Sequence, residues 1–344
     1  MGPLLDILRN SKKRVASQES QGDERHLPSP QAVTNCLVSK IKHDDKGKAT
    51  ELETSKGELI LGNAKLVLAM GILPSTTLVL NSFPSSSFPK LHSVGKRFTA
   101  HFISSIIARA PLSKVITPGS THGQLELGAV YVAGVDNETK QQFHVQITAV
   151  KDQAPETSAH DRIRHLPDVL ASPSPEQLQT SKDHVTFVCA CLGELDHKNQ
   201  QNWFQLCDNC ESGDITSNCK LQVVTNINDN TLWNTMDEST FQLLEKVVPL
   251  QEGLEYWHRD GGWKASRPAP KLYRHDGLVH EASTMWIGGD DDTEAPVGLD
   301  YRLRGIDNVY ITGAALWPRG GSWNPVGTIV SMAMHLADKI CRCL

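Results

Sequence analysis

No run among the 344 residues reaches the ~18 consecutive apolar positions that a membrane helix needs. There is no basic block either. The 34 Lys and Arg against 39 Asp and Glu leave a net charge of −5, which argues against nucleic acid as the main partner. The opening residues, MGPLLDILRNSKKRVASQ, lack a basic start followed by an apolar core, so they do not read as a signal peptide. Eight cysteines without such a signal point to free thiols in a reducing, cytoplasmic setting. A further absence is the pattern G-x-G-x-x-G, since the Gly pairs at 261–262, 288–289 and 320–321 read as unrelated turns. The strand–turn–helix cradle that receives a dinucleotide pyrophosphate is therefore not written in these residues. A chain of this length, 39% hydrophobic, still buries one large core or two moderate ones.

The cysteine spacings do not make a metal site. Cys207 and Cys210 with Cys219 supply three ligands, and no second CxxC or HxxxH follows for a fourth. Cys189 and Cys191 alternate along His184–Cys191 and share one strand face, where small core residues belong. Asn137-Glu138-Thr139 is a glycosylation sequon only in a secreted chain.

In chain order, residues 1–30 are polar and expected to be flexible, and Ala32–Ile41 reads as a strand. Thr50–Thr54 and Glu58–Leu61 form a hairpin around Lys56-Gly57, then Ala64–Gly71 reads as a strand and Thr77–Asn81 as helix. Strand-like runs follow at Phe102–Ala108, Ala129–Ala133, Phe143–Ala149, His184–Cys191 and Leu221–Thr225, with polar, Pro-rich loops between them, notably Lys151–Asp183. This pattern predicts an antiparallel sheet with insertions, and Glu238–Val248 a helix. Near the end, Val309–Ile311 is a short strand stopped by Gly313, and Pro318–Gly321 is a turn. Asn324-Pro325 reads as a helix start, Asn as N-cap and Pro at the first helical position. Val326, Ile329, Val330, Ala333, Leu336, Ala337 and Ile340 recur at helical spacing, which predicts burial of one broad face. A helix start of this kind faces an anion or electron-rich ring well. An ordinary strand–loop–helix unit has the same pattern.

Upstream of that unit, His280–Gly288 (HEASTMWIG) precedes Arg302-Leu303-Arg304-Gly305-Ile306-Asp307-Asn308-Val309. This order resembles the C-terminal signature of the glucose–methanol–choline (GMC) flavin oxidoreductases. There a His eight residues before a Gly, with a Thr between, precedes an arginine-valine-x-glycine-x-x-asparagine-leucine run. His280, Thr284, Gly288, Asn308, Gly313, Asn324 and Pro325 fall where that pattern expects them. Ala64–Gly71 with the helix after it resembles a family segment as well, its serine-glycine end here being Ser82-Phe83. Ser93–Phe98 resembles the entry to the family's substrate domain, and His101 lies in the same stretch, where a satisfied loop residue is expected.

The resemblance covers residues 32–344 and implies an α/β (α+β) chain of truncated GMC-like architecture. Residues 31–89 and 276–344 would be the remnant of an FAD-binding α/β domain, and 90–275 an antiparallel-sheet substrate domain. It implies His280 as the base that takes a hydroxyl proton, with Asn324 as its partner in one shared pocket. Val38, Gly313, Ala314, Pro325 and Val326 would face the cofactor, FAD, held weakly or not at all by this chain alone. Glu281, Met285, Trp286 and Trp323 are the candidate substrate-pocket residues, though Met and aromatics there make equally good core. No metal is implied. Two functions are open: CH–OH oxidation with hydride transfer to FAD, the nucleotide-binding part coming from a partner chain or an atypical site; or a cofactor-free cyclisation, isomerisation or elimination of an apolar substrate in the vacated pocket, as in secondary metabolism. Either reading leaves room for a partner chain or self-association.

Overall fold

The computed structural model describes residues 31–115, 123–166, 171–179, 182–207, 214 and 218–342. Three strands, β1 (Val38–His43), β2 (Ala49–Thr54) and β3 (Gly57–Ile60), form an antiparallel meander. Next, β4 (Leu66–Leu68) leads into helix α1 (Ile72–Ser82). The remainder of this layer comes from the far end of the chain, where β16 (Val309–Ile311) pairs in parallel with β4. Asn308 ties the two stretches: its side chain accepts from the Ala49 N–H at 2.8 Å and donates to the Ala49 and Ala64 carbonyls at 2.9 and 3.0 Å. One core joins them, with Ile41, Leu68, Leu78, Val79, Val309, Ile311 and Leu316 buried together.

The other large element is a seven-stranded antiparallel sheet. β5 (Thr99–Pro111) is its axis, followed outward by β8 (His184–Glu194), β7 (Gln142–Asp152) and β6 (Leu125–Val135). The opposite edge of β5 is shared by β13 (Arg274–Ala282) at its start and β11 (Glu255–His258) at its end, with β12 (Gly262–Lys264) outermost. β13 therefore runs through position 276, where the nucleotide-binding remnant was expected to resume. Helix α2 (Ile227–Val247) covers one face of this sheet. It begins eleven residues before the expected Glu238, at a capping box in which Asn226 accepts from the Asp229 N–H and Asp229 from the Asn226 N–H. Leu232, Met236, Phe241 and Leu244 from α2 bury Phe102, Ile106, Val145, Ile147, Cys189 and Cys191 in a second core.

The last helix, α3 (Val326–Arg342), departs from expectation. Of the face expected to be buried, only Leu336 is fully so, while Ile329, Met332 and Ile340 pack partly against the first core. Val326, Val330 and Met334 remain exposed at 68%, 51% and 66%, because the helix meets the core along one narrow edge. Pro325 stands just ahead of the helix, its carbonyl accepting from the Ile329 N–H at 3.0 Å. Among the described residues no helix is long and apolar enough to cross a membrane. Cys210 and residues 1–30 lie outside the described residues. Cys207 stays in the β9–β10 hairpin (Trp203–Leu206 and Cys219–Gln222), its N–H donating to the Asn218 carbonyl. No group of three or more His, Cys, Asp or Glu able to hold a metal occurs among the described residues.

Candidate active site

His280 is aimed by a defect in the sheet. Val279 pairs with His101 and Ala282 with Thr99, so β13 carries one residue more than β5 across this interval. Such a bulge re-aims a side chain. The backbone at His280 takes φ 61°, in the left-handed region, and Ser283 follows at φ 73°. Non-glycine residues adopt this region rarely, and such strain gathers at functional sites. Two contacts hold the turn: the Ser283 N–H donates to the Ala314 carbonyl at 3.1 Å, and the Ser283 and Thr99 hydroxyls lie 3.1 Å apart.

The re-aimed ring meets His101, with the two Nδ1 atoms 3.0 Å apart and the rings edge to face. His101 lies within strand β5 and is fully buried, so its expected place in a loop is corrected. Its other nitrogen, Nε2, faces the Gly320 carbonyl at 3.4 Å. A carbonyl only accepts, so Nε2 carries the proton of neutral His101 and Nδ1 is its lone-pair side. The Nδ1 of His280 is then the donor. Burial, reinforced by the neighbouring imidazole of His280, pushes the His101 pKa down to about 3, so His101 stays neutral.

The loop opposite is tied to the sheet. Arg319 makes a two-pronged pair with the fully buried Glu194 of β8, Nε to Oε1 at 2.8 Å and an Nη to Oε2 at 2.5 Å. The same carboxylate accepts from the Gly321 N–H at 3.0 Å and the Gln142 N–H at 3.1 Å. Arg97 donates to the Pro318 carbonyl and lays its guanidinium 3.9 Å from the Trp286 ring centre. Beyond Gly321, the indole of Trp323 stacks on His144 of β7 at 5.0 Å and nearly parallel, with Tyr131 of β6 beside both. His144, Gln146 and Thr148 alternate along β7 and share the face that carries His101 and Glu194. All three are essentially buried. The Gln146 Oε1 accepts from Tyr131 at 3.1 Å, while the Gln146 Nε2 and the Thr148 hydroxyl have no hydrogen-bond partner among the described residues.

The other residues singled out in the sequence are dispersed. Asn324 is exposed, one position beyond Trp323, and the immediate neighbour of His280 is His101. Glu281 is half-buried beside His280. Met285 is fully buried in the first core, and Trp286 is buried with its indole N–H on Asp292 at 3.0 Å. Val38 is an ordinary half-buried residue of β1, and Ala314 is buried. Gly313 turns at φ 98°, and a Cβ added there would meet nothing within 4 Å. The two surface cavities at hand, about 870 Å³ around Arg302 and Arg304 and about 310 Å³ around Arg267 and Arg274, involve none of these residues. His101, Gln146 and Thr148 were missed as site residues. The signal for Gln146 and Thr148 was the strict polar–apolar alternation of Phe143–Ala149, which marks two unlike faces without saying that the polar one is enclosed.

Of the residues expected to face a flavin ring, Gly313 has open space where a Cβ would stand, and Val326 is exposed, as is the expected partner Asn324. The sequence contains no G-x-G-x-x-G to receive a pyrophosphate.

Comparison with known proteins agrees with this architecture. Residues 236–333 match the family described as GMC oxidoreductase. No curated protein sequence matches the chain significantly. Among solved structures, an FAD-dependent oxidoreductase from Chaetomium thermophilum in complex with a fragment is similar at 14% identity and a TM-score of 0.54, over 96% of this chain and 63% of that one. Pyridoxine 4-oxidase from Mesorbium loti is similar at 15% and 0.52, over 92% and 59%. Formate oxidase is similar at 13% and 0.55, over 92% and 61%. The chain thus spans about six tenths of the length of these structures. Residues 236–333 thus match the GMC oxidoreductase family, and over more than nine tenths of its length the chain has the fold of these oxidoreductases.

Proposed function

We propose that this chain acts on a hydroxylated small molecule, with His280 taking the hydroxyl proton. The observation that carries the reading is the 3.0 Å contact between His280 and a buried, neutral His101. That contact fixes the His280 ring, and a neutral imidazole with a reference pKa of about 6.5 accepts a proton at working pH. Gln146 and Thr148, on the same sheet face, offer buried groups in need of partners and are suited to a polar ligand. A flavin, when bound, supplies the acceptor for the electron pair of the adjacent C–H bond. The residues in hand would hold only its ring end, so the nucleotide part would come from a partner chain or further sequence.

The missing pyrophosphate cradle favours a second reading for this chain by itself, in which the same base serves a flavin-independent isomerisation, elimination or cyclisation. The visible spectrum separates the two, since bound flavin absorbs at about 450 nm. The chain alone is expected to purify without that band and to show no oxidase turnover with added flavin. Stoichiometric flavin surviving desalting would restore the redox reading in full. In either case His280→Ala is expected to lower turnover by about 10²–10⁴-fold. Wild-type rates in that variant would sink the role of His280.

A further inference from the structure

β6 is the outer edge of the large sheet, and among the described residues no other strand pairs with its far side. It is eleven residues long and joins β7 in unbroken register from Leu125 to Val135. Residues 128–133 are exposed in sequence, so both faces are open as well as the edge. Val130, Tyr131, Val132 and Val135 are 36–54% exposed. Proteins ordinarily guard such an edge with Pro, Lys, an inward charge or a bulge. Residues 127–135 have none of these; the flanking charges are Glu126, which lies 3.6 Å from Lys151 Nζ, and Asp136, which accepts from the Thr139 N–H and hydroxyl.

The sequence of this edge reads the same in both directions: Gly128-Ala129-Val130-Tyr131-Val132-Ala133-Gly134. An antiparallel strand meets its partner in reversed order, and a two-fold dimer places the same patch on both sides. We propose that two copies of this chain pair through β6, with Tyr131 of each at the two-fold axis. Val130 then faces Val132 of the second copy, Ala129 faces Ala133, Gly128 faces Gly134 and Leu127 faces Val135. No charged residue stands in this interval; the like charges just beyond it, Glu126 of one copy and Asp136 of the other, meet at its two ends, where Lys151 lies 3.6 Å from Glu126. Nine paired residues run for about 31 Å. Stable interfaces bury about 800 Å² per partner, so the main chain supplies register while the Val side chains, Tyr131 and the neighbouring Trp323 widen the contact. Each copy has one such edge, and the opposite margin of the sheet is the three-residue β12, so association closes at two. The dimer brings the second copy beside Tyr131, next to the candidate site.

Sedimentation equilibrium of the full chain, across a range of micromolar concentrations, tests this. Wild type is expected at twice the 37.8 kDa chain mass. Val130→Glu and Val132→Lys, both on the sheet face away from His144, are each expected to return the mass to one chain with an unchanged circular dichroism spectrum. The double variant Val130→Glu/Val132→Lys sets each Glu against a Lys of the other copy, and is expected to restore the dimer. A monomeric wild type, open-ended aggregation, or single variants that remain dimeric would overturn the pairing. A double variant as monomeric as the singles would overturn its register.

Discussion

The two faces of the seven-stranded sheet are built from the same strands and differ in their polar content, although Ile103 and Leu192 lie on the more polar one. Toward α2, Phe102, Ile106, Val145, Ile147, Cys189 and Cys191 pack against Met236 and Phe241. On the other face the same strands carry His101, Glu194, His144, Gln146 and Thr148, nearly or fully buried. The first face stabilises through apolar area and close packing. The second lowers stability wherever a buried polar group is left without a partner. The proposed site stands on this second face and not at the two surface cavities.

Substitutions on the two faces should therefore differ in kind. The largest effect is expected for Glu194→Ala, which leaves Arg319 and the Gly321 N–H without their buried partner. Losing one side of such a pair costs about 3–5 kcal/mol, read as a lower urea midpoint. On the apolar face, Met236→Ala should cost about 2–5 kcal/mol by opening a cavity, with no change in ligand affinity. If Met236→Ala proved neutral, the apolar face would be looser than its burial implies.

An acid titration comes next in size. The depressed pKa of His101 means that the unfolded chain binds its proton below about 6.5 and the folded chain only near about 3. Stability contributed by neutral His101 is therefore complete above pH ~6.5 and falls by about 1.4 kcal/mol per unit as pH drops toward 3. By pH 5 this amounts to about 2 kcal/mol, and His101→Gln should flatten the acid limb of a stability–pH curve. An unchanged limb would mean that His101 is protonated in the fold. The smallest effect is expected for Thr148→Val, which removes an unpartnered hydroxyl at constant shape. It should raise stability by about 1 kcal/mol while weakening ligand binding, and a loss of stability would show that the hydroxyl is satisfied.

Much of the frame was legible from patterns of fixed period. The hairpin at Lys56-Gly57, the strand Val309–Ile311 and the four central strands lie where alternation and turn residues put them. The start of α2 was written as well, in Asn226 and Asp229, but the polar stretch after them hid it. The burial of α3 was overread, because helical spacing marks an apolar stripe and not what lies against it. The meeting of His101 with His280 had no local signal, since it depends on a register shift between strands distant in sequence. The enclosure of the polar side of β7 was likewise a property of the loops folded over it.

The clasp between Arg319 and Glu194 has a consequence for timing. The loop that carries Gly320 toward His101 cannot lift away unless a buried carboxylate gives up three hydrogen bonds at once. The arrangement around His280 is therefore set before any ligand arrives. Encounter on that side should be a docking event without a preceding loop rearrangement, its rate following ligand concentration linearly with no plateau from a closing motion.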